Sequence, residues 1–342
     1  MNENPGRREG VPEDYPGRIV DFGDDATHMV IALLGVQGRD EAEHAAFLAT
    51  LRGLAGAAHG PQRLEAGHHV DGAGSPTTLA MAYWTDRTRM REWWRSAAVA
   101  AWWQGLPADG EAGWFCERMT IPKARFNYAA GTEDRHGSAA TLPLAPCRTF
   151  GYWGAYRDRL PASDDDPFES PLAAAPTPRA IETRGRRLTL QVPDNLCYIR
   201  EGQGWADCGA EERAVWNDQM KDVVDTWVGR LAADPAATGC LALRDLAEFD
   251  AHSGAPLERR SQIAFLLSLG HIERAARTDP AHLAVHRAFV QMYREPRFTP
   301  RMHVWVEVGI LKSDEFEAEY VNCHPETGLL PFFATAANSA HG

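Results

Sequence analysis

The chain has 342 residues, 44% of them apolar, and its 47 acidic and 35 basic side chains give a net charge of -12. This apolar content can bury a large core, which excludes a wholly disordered chain, and the acidic balance argues against nucleic acid as a partner. No apolar run approaches the roughly 18 residues that a membrane helix needs, and the polar start has no signal-peptide core. We therefore expect a cytoplasmic protein with no membrane partner.

The six cysteines lie far apart and form no C-x-x-C pair. This spacing excludes a zinc ribbon and a c-type haem attachment motif. We expect the cysteines to be reduced and mostly structural.

The first part of the chain reads as an arm followed by alternating strands and helices. Residues 1–25 are polar and rich in Pro and Gly, which predicts a flexible N-terminal arm. In residues 26–128 the apolar pattern predicts, in chain order, a strand at 29–34, a helix at about 40–55, a strand at 79–84, a helix at 87–103 and a strand at 113–119. The second helix carries four tryptophans, and we expect it to pack against a sheet, because aromatic side chains bury large areas.

Residues 129–186 are expected to form one strand between two long loops. The stretches 129–146 and 161–186 are rich in Ala, Pro, Gly, Ser and Asp, and a strand is predicted at 149–154. Long loops in a compact domain often serve a functional site.

The second part, residues 187–335, repeats the earlier alternation of strands and helices, and a tail follows at 336–342. The predicted elements are a strand at 196–200, a helix at 211–231, a strand at 239–244, helices at 261–277 and 280–294, and strands at 302–311 and 316–322. The repeated order predicts a duplicated α+β protein, with its sheets in a common core and its helices outside.

A candidate metal or haem ligand lies at the start of the last predicted helix. Asp279 is a suitable N-cap and Pro280 a suitable first helical residue, so His282 falls in the first turn. Histidine is a standard axial ligand of haem iron. His286, four residues on, shares the helix face and permits a different metal, while packing or solvent exposure of both rings stays open from spacing alone.

Three further residues are candidates for a cleft. Glu201 follows a predicted strand next to glycines; it is either a solvated loop carboxylate or, in an apolar pocket, a proton donor or acceptor with a raised pKa. Arg159 is either a surface cation or part of the same cleft. His324 precedes a proline and is expected to be a structural turn residue.

Several segments together resemble the haem-containing aldoxime dehydratases, which turn R-CH=N-OH into a nitrile and water. The resemblance covers most of the chain, and its segments keep the family's order and spacing. They are Leu34-Gly35-Val36-Gln37, Tyr83-Trp84, Trp94-Arg95-Ser96-Ala97, Gly151-Tyr152-Trp153-Gly154, Arg157-Asp158-Arg159, Ile199-Arg200-Glu201-Gly202-Gln203, Glu211-Glu212-Arg213, Asp279-Pro280-Ala281-His282-Leu283 and Glu319-Tyr320-Val321-Asn322-Cys323-His324-Pro325.

The resemblance implies a fold, a cofactor and two site residues. The fold is a pseudo-duplicated ferredoxin-like α+β barrel, usually a homodimer, with haem b bound in the second half and active as ferrous iron. His282 corresponds to the proximal iron ligand and Arg159 to the arginine beside the oxime. The implied partner is a small nitrogen-containing substrate.

The chain departs from the family at two positions of the distal site. Glu201 stands where the family has a serine, and Val306 stands where it has the distal histidine. His303 lies three residues before Val306, and an odd offset places it on the opposite face of a regular strand.

Four hypotheses follow from this departure. Glu201 takes over as proton donor and the protein remains a dehydratase; the pocket acts on another N–O or N–N substrate, such as a hydroxylamine or hydrazine; or the protein is a non-catalytic haem sensor. The fourth is a metal enzyme without haem that uses His282 and His286.

Overall fold

The computed structural model describes residues 17–150, 154–294 and 298–336, and within them the chain is an α+β protein. All described strand pairs are antiparallel and join in one sheet. The strands are β1 Gly17–Val20, β2 His28–Gln37, β3 Arg63–Val70, β4 Pro76–Trp84, β5 Gly113–Pro122, β6 Phe126–Ala130, β7 Leu144–Cys147, β8 Arg187–Leu190, β9 Leu196–Gly204, β10 Cys240–Phe249, β11 Pro256–Leu266, β12 His303–Leu311, β13 Phe316–Val321 and β14 Ala334–Ala336.

The helices lie between these strands, and none that is described is long and apolar enough to cross a membrane. They are α1 Glu41–Ala55, α2 Arg87–Arg95, α3 Ala97–Gln104, α4 Ala155–Asp158, α5 Ala210–Val215, α6 Lys221–Ala233, α7 Pro235–Thr238, α8 Leu269–Thr278, α9 Pro280–Arg294 and α10 Leu330–Phe333. A π-helical turn, Trp216–Met220, joins α5 to α6.

Two sets of four strands share one topology. The order across the sheet is β14-β8-β13-β5-β2-β4-β3-β10-β11-β9-β12-β6-β1-β7. In each of the sets β2–β5 and β9–β12, helices follow the first and third strands, and the spatial order is fourth, first, third, second. The second strands of the two sets, β3 and β10, are paired with each other and join the halves.

The two halves also exchange strands. The chain leaves β5 through a short turn into β6, which pairs with β12 of the other half. It leaves β12 through a second short turn into β13, which pairs with β5. Each half therefore completes the edge of the other.

The inner face of the sheet forms the main core, to which strands of both halves contribute. The sheet curls until β5 and β12 approach, and a Cβ on Gly309 of β12 would lie 2.6 Å from Ile121 of β5. No described ladder joins these two strands, because their neighbours are β2 and β13 for β5 and β9 and β6 for β12. The strands β5 and β12 are thus in contact through side chains rather than through backbone hydrogen bonds.

Two of the strands that the sequence did not predict, β3 and β11, carry buried polar groups on the inner face. Glu65 of β3 and Ser261 of β11 are fully or almost fully buried, and both lie beside Arg200, whose guanidinium is 2.7 Å from Glu65. These polar side chains interrupt the apolar alternation by which strands are detected. The helix predicted at 261–277 is therefore wrong at its start, because residues up to Leu266 belong to β11 and the helix begins at Leu269.

The tryptophan-rich segment is helical and packs against the sheet, as expected. It is two helices rather than one, because the chain turns at Ser96, whose side chain accepts a hydrogen bond from the Val99 amide and caps α3. Trp93 and Trp103 are 1% and 4% exposed in the core between α1, α2, α3 and the outer face of the first half.

Three predictions about irregular segments differ from the structure. The predicted loop at 129–146 contains the end of β6 and most of β7, Leu144–Cys147, which pairs with β1. Gly17–Val20 forms β1, paired with β6 and β7, within the arm predicted for residues 1–25. The strand predicted at 149–154 lies partly outside the described residues, and Gly154, at φ +96°, leads directly into α4.

Candidate active site

Three of the site candidates, His282, Glu201 and Arg159, lie in or beside the layer where helices α6, α8 and α9 cover the outer face of the second half. Along β9 the outer side chains include Cys197, Ile199 and Glu201, and along β12 they include Val306 and Val308. These strands, with Trp227 and Leu231 of α6, line one apolar cluster against which α8 and α9 pack. This outer layer is separate from the main core on the inner face of the sheet.

His282 lies in the first turn of α9. The Asp279 carboxylate accepts a hydrogen bond of 2.9 Å from the Ala281 amide and caps the helix, as the sequence predicted. Nδ1 of His282 lies 2.8 Å from the carbonyl oxygen of Ala276, so this nitrogen carries the proton and donates. The ring packs edge-on against Trp227, with centroids 4.9 Å apart.

The protonation of His282 suits an iron ligand. Burial lowers the pKa of the ring, and the Ala276 carbonyl opposes this only in part, so the imidazole is neutral near pH 7. A second hydrogen bond of this kind fixes the tautomer and ring orientation in metal-binding histidines and leaves Nε2 as the ligating atom.

Glu201 points from β9 into the apolar layer. Its cross-strand neighbour on β12 is Val306, and the side chain has no hydrogen bond to any other described residue. Burial raises the pKa of the Glu201 carboxyl from 4.5 to about 7. The group is only partly exposed, and at neutral pH it is divided between its acid and its carboxylate forms.

Arg159 follows α4 and is held on the side of this layer nearest β6. Its Nε donates to Oδ1 of Asn127 at 2.7 Å, and its Nη1 donates to the carbonyl oxygen of Thr149 at 2.7 Å. Asn127 pairs with Val308 of β12, just as Val306 pairs with Ala129. Asn127 and Glu201 therefore flank β12 on opposite sides, and the structure places Arg159 and Glu201 on the same outer face of the sheet.

Sequence reasoning missed two residues of this group. Asn127 is the one polar residue in the apolar strand Phe126–Ala130, and its outward register could have indicated a role. Tyr156 precedes Arg159 by three residues on a single helical turn, a spacing that puts both on one side, and its ring centroid lies 5.3 Å from the Arg159 guanidinium carbon.

Comparison with known proteins identifies the family. A sequence model of the family described as haem-containing dehydratase matches residues 32–329. The phenylacetaldoxime dehydratase of Bacillus sp. strain OxB-1 is 31% identical over 333 residues, 95% of either chain. The aliphatic aldoxime dehydratase of Pseudomonas chlororaphis is 30% identical over 331 residues, 94% of this chain and 93% of that one.

The chain belongs to the family of haem-containing dehydratases. It also resembles a solved structure of an aldoxime dehydratase in complex with butyraldoxime, with a TM-score of 0.85, 27% identity and coverage of 97% of this chain and 94% of that one. The protein is thus a haem-containing lyase, and haem is its cofactor.

The outer layer of this haem-containing dehydratase fits a flat, mainly apolar group. Among the described side chains of α8 and α9, only Leu269 and Met292 are buried, although both helices lie over the apolar cluster. Oε1 of Gln203, two residues beyond Glu201 on the same side of β9, is buried without a hydrogen-bond partner among the described residues. The apolar cluster, the neutral imidazole and the unsatisfied amide fit a bound haem.

The other histidines of the sequence analysis lie elsewhere in the enzyme. His303 is on the inner face, where its ring stacks on Trp305 at 5.0 Å and its Nδ1 is hydrogen-bonded to Thr132. His324 lies in a turn, its amide donating to Gln37 at 2.8 Å. His286 is exposed, and no group of three or more metal-binding side chains is found among the described residues.

Proposed function

We propose that this enzyme converts an aldoxime into a nitrile and water, with Glu201 as the residue that exchanges protons with the substrate. The observation that carries the proposal is the Glu201 carboxyl, which lies in the apolar outer layer of the haem-binding half with a pKa of about 7. A group that is half protonated at neutral pH is suited to give and take a proton in one cycle. The relatives, named as aldoxime dehydratases, supply the substrate class.

His282 is the residue that would hold the haem iron, through Nε2, while its Nδ1–H stays on the Ala276 carbonyl. Bound ferrous haem supplies an electron-rich iron that weakens the N–O bond of the oxime. The hydrogen bond to Ala276 increases the basicity of the imidazole, which favours this role.

Glu201 accounts for both proton movements. The protonated carboxyl donates to the oxime hydroxyl, which leaves as water when the N–O bond breaks. The resulting carboxylate accepts the proton from the aldoxime carbon, and the C≡N bond is completed. The net change is R-CH=N-OH to R-C≡N and H2O, with Glu201 returned to its starting form.

Arg159 and Val306 complete the surroundings of the substrate. The guanidinium of Arg159, fixed by Asn127 and Thr149, orients the oxime. Val306, 7% exposed, is an apolar wall that excludes water and keeps the Glu201 pKa high.

The two departures from the family compensate each other. Positions 201 and 306 face each other across β9 and β12, and side chains at such positions lie about 5 Å apart at Cβ. A glutamate is longer than the serine of the family, and valine is smaller than histidine. One carboxyl at position 201 therefore reaches the space that the family fills with a hydroxyl and an imidazole.

We also infer the finer fold from the shared strand order. Residues 26–128 and 187–335 are two ferredoxin-like units, each with the order fourth, first, third, second. As in the dimeric α+β barrel type of fold, the units place their sheets together and their helices outside. A homodimer remains our expectation for the assembly.

The experiment is anaerobic incubation of the dithionite-reduced protein with aliphatic and aryl aldoximes, with nitrile measured by gas chromatography. Nitrile release supports the proposal. Spectral shifts without product would indicate a haem-binding sensor, and turnover of hydroxylamines or hydrazines alone would indicate another N–O or N–N chemistry.

The iron ligand is tested separately. His282→Ala should abolish the haem absorption of the purified protein, whereas the matched variant His286→Ala, four residues on at an exposed position, should retain it. The reverse result would assign the iron to His286. A colourless wild type that stays indifferent to hemin would favour a metal enzyme without haem.

A further inference from the structure

We propose that Tyr156 is a second hydrogen-bond donor of the substrate pocket, and that its hydroxyl holds the oxygen of the oxime while Glu201 transfers the proton. The inference rests on the proposed function and adds a substrate-contacting residue to it. It is carried by the anchoring of α4, by the surroundings of the phenol ring and by the state of its hydroxyl group.

The single turn α4 is anchored on both sides of Tyr156. Arg157 forms a bidentate ion pair of 2.9 Å with Glu273 of α8. Arg159, two residues further on, reaches β6. Ala155 and Leu160 are buried at either end of the turn. Tyr156 therefore lies on a short element fixed to the helix layer through one arginine and to the sheet through the other.

The phenol ring faces the same apolar layer as Glu201. Tyr156 packs against the cluster that contains Ile199 and Val306, the neighbours of Glu201 on β9 and β12. Arg159, beside the ring at 5.3 Å, is the group that the proposed function assigns to the oxime. Glu201 is also close enough to affect the ionisation of the phenol.

The Tyr156 hydroxyl has no hydrogen-bond partner among the described residues, and the residue is only half-buried. The hydroxyls of the other tyrosines whose side chains are described all donate hydrogen bonds. Tyr83 and Tyr198 donate to Glu307, Tyr320 donates to Glu117, and Tyr128 donates to the Asp134 carbonyl at 3.4 Å. Among the tyrosines whose side chains are described, Tyr156 is therefore the one whose hydroxyl can donate to a ligand on this face.

Tyr156 and Glu201 have different roles in the proposed reaction. Burial raises the pKa of the Tyr156 phenol, the charge of Glu201 raises it further, and Arg159 opposes them in part. The phenol thus remains a donor throughout the range in which Glu201 titrates. It can hold the leaving oxygen without itself losing a proton, and the proton balance of the reaction is unchanged.

The test is Tyr156→Phe, which removes the hydroxyl and keeps the ring. The matched control is Tyr128→Phe, on the inner face of β6 and outside the pocket. Two readouts do not need turnover: the C–O stretching frequency of carbon monoxide on the reduced haem, which responds to nearby hydrogen-bond donors, and the affinity for butyraldoxime from absorption titration of the ferric haem.

We expect Tyr156→Phe to shift the carbon monoxide frequency and to weaken oxime binding by about two- to tenfold, the range for one neutral hydrogen bond. Tyr128→Phe should change neither. The pH midpoint of activity should stay near 7 in Tyr156→Phe, because Glu201 sets it.

An unchanged frequency together with unchanged oxime affinity in Tyr156→Phe, at normal haem content, overturns the inference. Failure of the proposed function gives a different pattern. A wild type that makes no nitrile, but whose carbon monoxide frequency still shifts on Tyr156→Phe, would refute the dehydration and support Tyr156 as a donor in the pocket.

Discussion

Replacing Glu201 by Gln tests the central group of the site with almost no change of shape. With a pKa of about 7, the wild-type carboxyl is about 90% protonated at pH 6 and about 10% at pH 8, so kcat/KM should fall close to tenfold between these values. Gln cannot supply a proton, and its activity should be lower by about 10² to 10⁴ at pH 6, the usual contribution of a general acid. The activity that remains should not vary with pH.

The assay is the initial rate of nitrile release from pH 5.5 to 8.5, at matched haem content. Arg159→Lys, which keeps the positive charge, is the control for general disturbance of the pocket and should retain the midpoint near 7. A Glu201→Gln enzyme with normal turnover, or a wild-type profile that is flat from pH 6 to 8, would refute the reasoning and make Glu201 a wall residue.

The same substitution should change stability with a defined sign. A carboxyl whose pKa is higher in the folded than in the unfolded protein contributes full stability below about 4.5, and this is lost as pH rises to about 7. A rise from 4.5 to about 7 corresponds to a loss of at most about 3 kcal/mol. The free energy of unfolding of Glu201→Gln relative to wild type should thus increase from pH 5 to pH 7.5, as measured by urea denaturation, and a constant difference would contradict the raised pKa.

Two further predictions concern residues around the site and in the first half. Asn127→Ala removes the acceptor that holds Nε of Arg159 at 2.7 Å, so KM for the oxime in steady-state assays should rise several-fold. Asn127→Asp keeps an acceptor and should have the KM of the wild type. Equal KM values in all three enzymes would show that Arg159 needs no such support. Trp93→Ala should lower the free energy of unfolding by about 3–5 kcal/mol, because the side chain is 1% exposed and donates to the Leu54 carbonyl, and should leave the haem spectrum unchanged. Trp94→Ala, at a half-buried position, should cost less in the same denaturation experiment, and an equal cost would contradict the packing argument.

The sequence predicted those parts of the fold whose pattern is local. The start of α9 at Pro280 followed from the Asp279 cap, and the last strands, β12 and β13, agree with the predictions at 302–311 and 316–322 within a residue or two. The strands β3 and β11 were missed because their inner side chains include Glu65 and Ser261, which are stabilised only by partners from distant strands.

The site was predictable only residue by residue. His282 and Glu201 each belong to a recognisable segment, but their placement in one outer layer depends on the register of β9 against β12 and on the packing of α9, which no local pattern encodes. Asn127 and Tyr156 were missed for the same reason, since each is linked to this layer through Arg159 or through a neighbouring strand.

Because β6 and β13 are exchanged between the halves, neither half has all its strand partners when it is separated from the other. If either half were expressed alone, its fourth strand would lose its partner and present an open row of amide and carbonyl groups, a surface that recruits other chains. Proteolytic or genetic separation of the halves should therefore yield aggregates rather than a small soluble fragment.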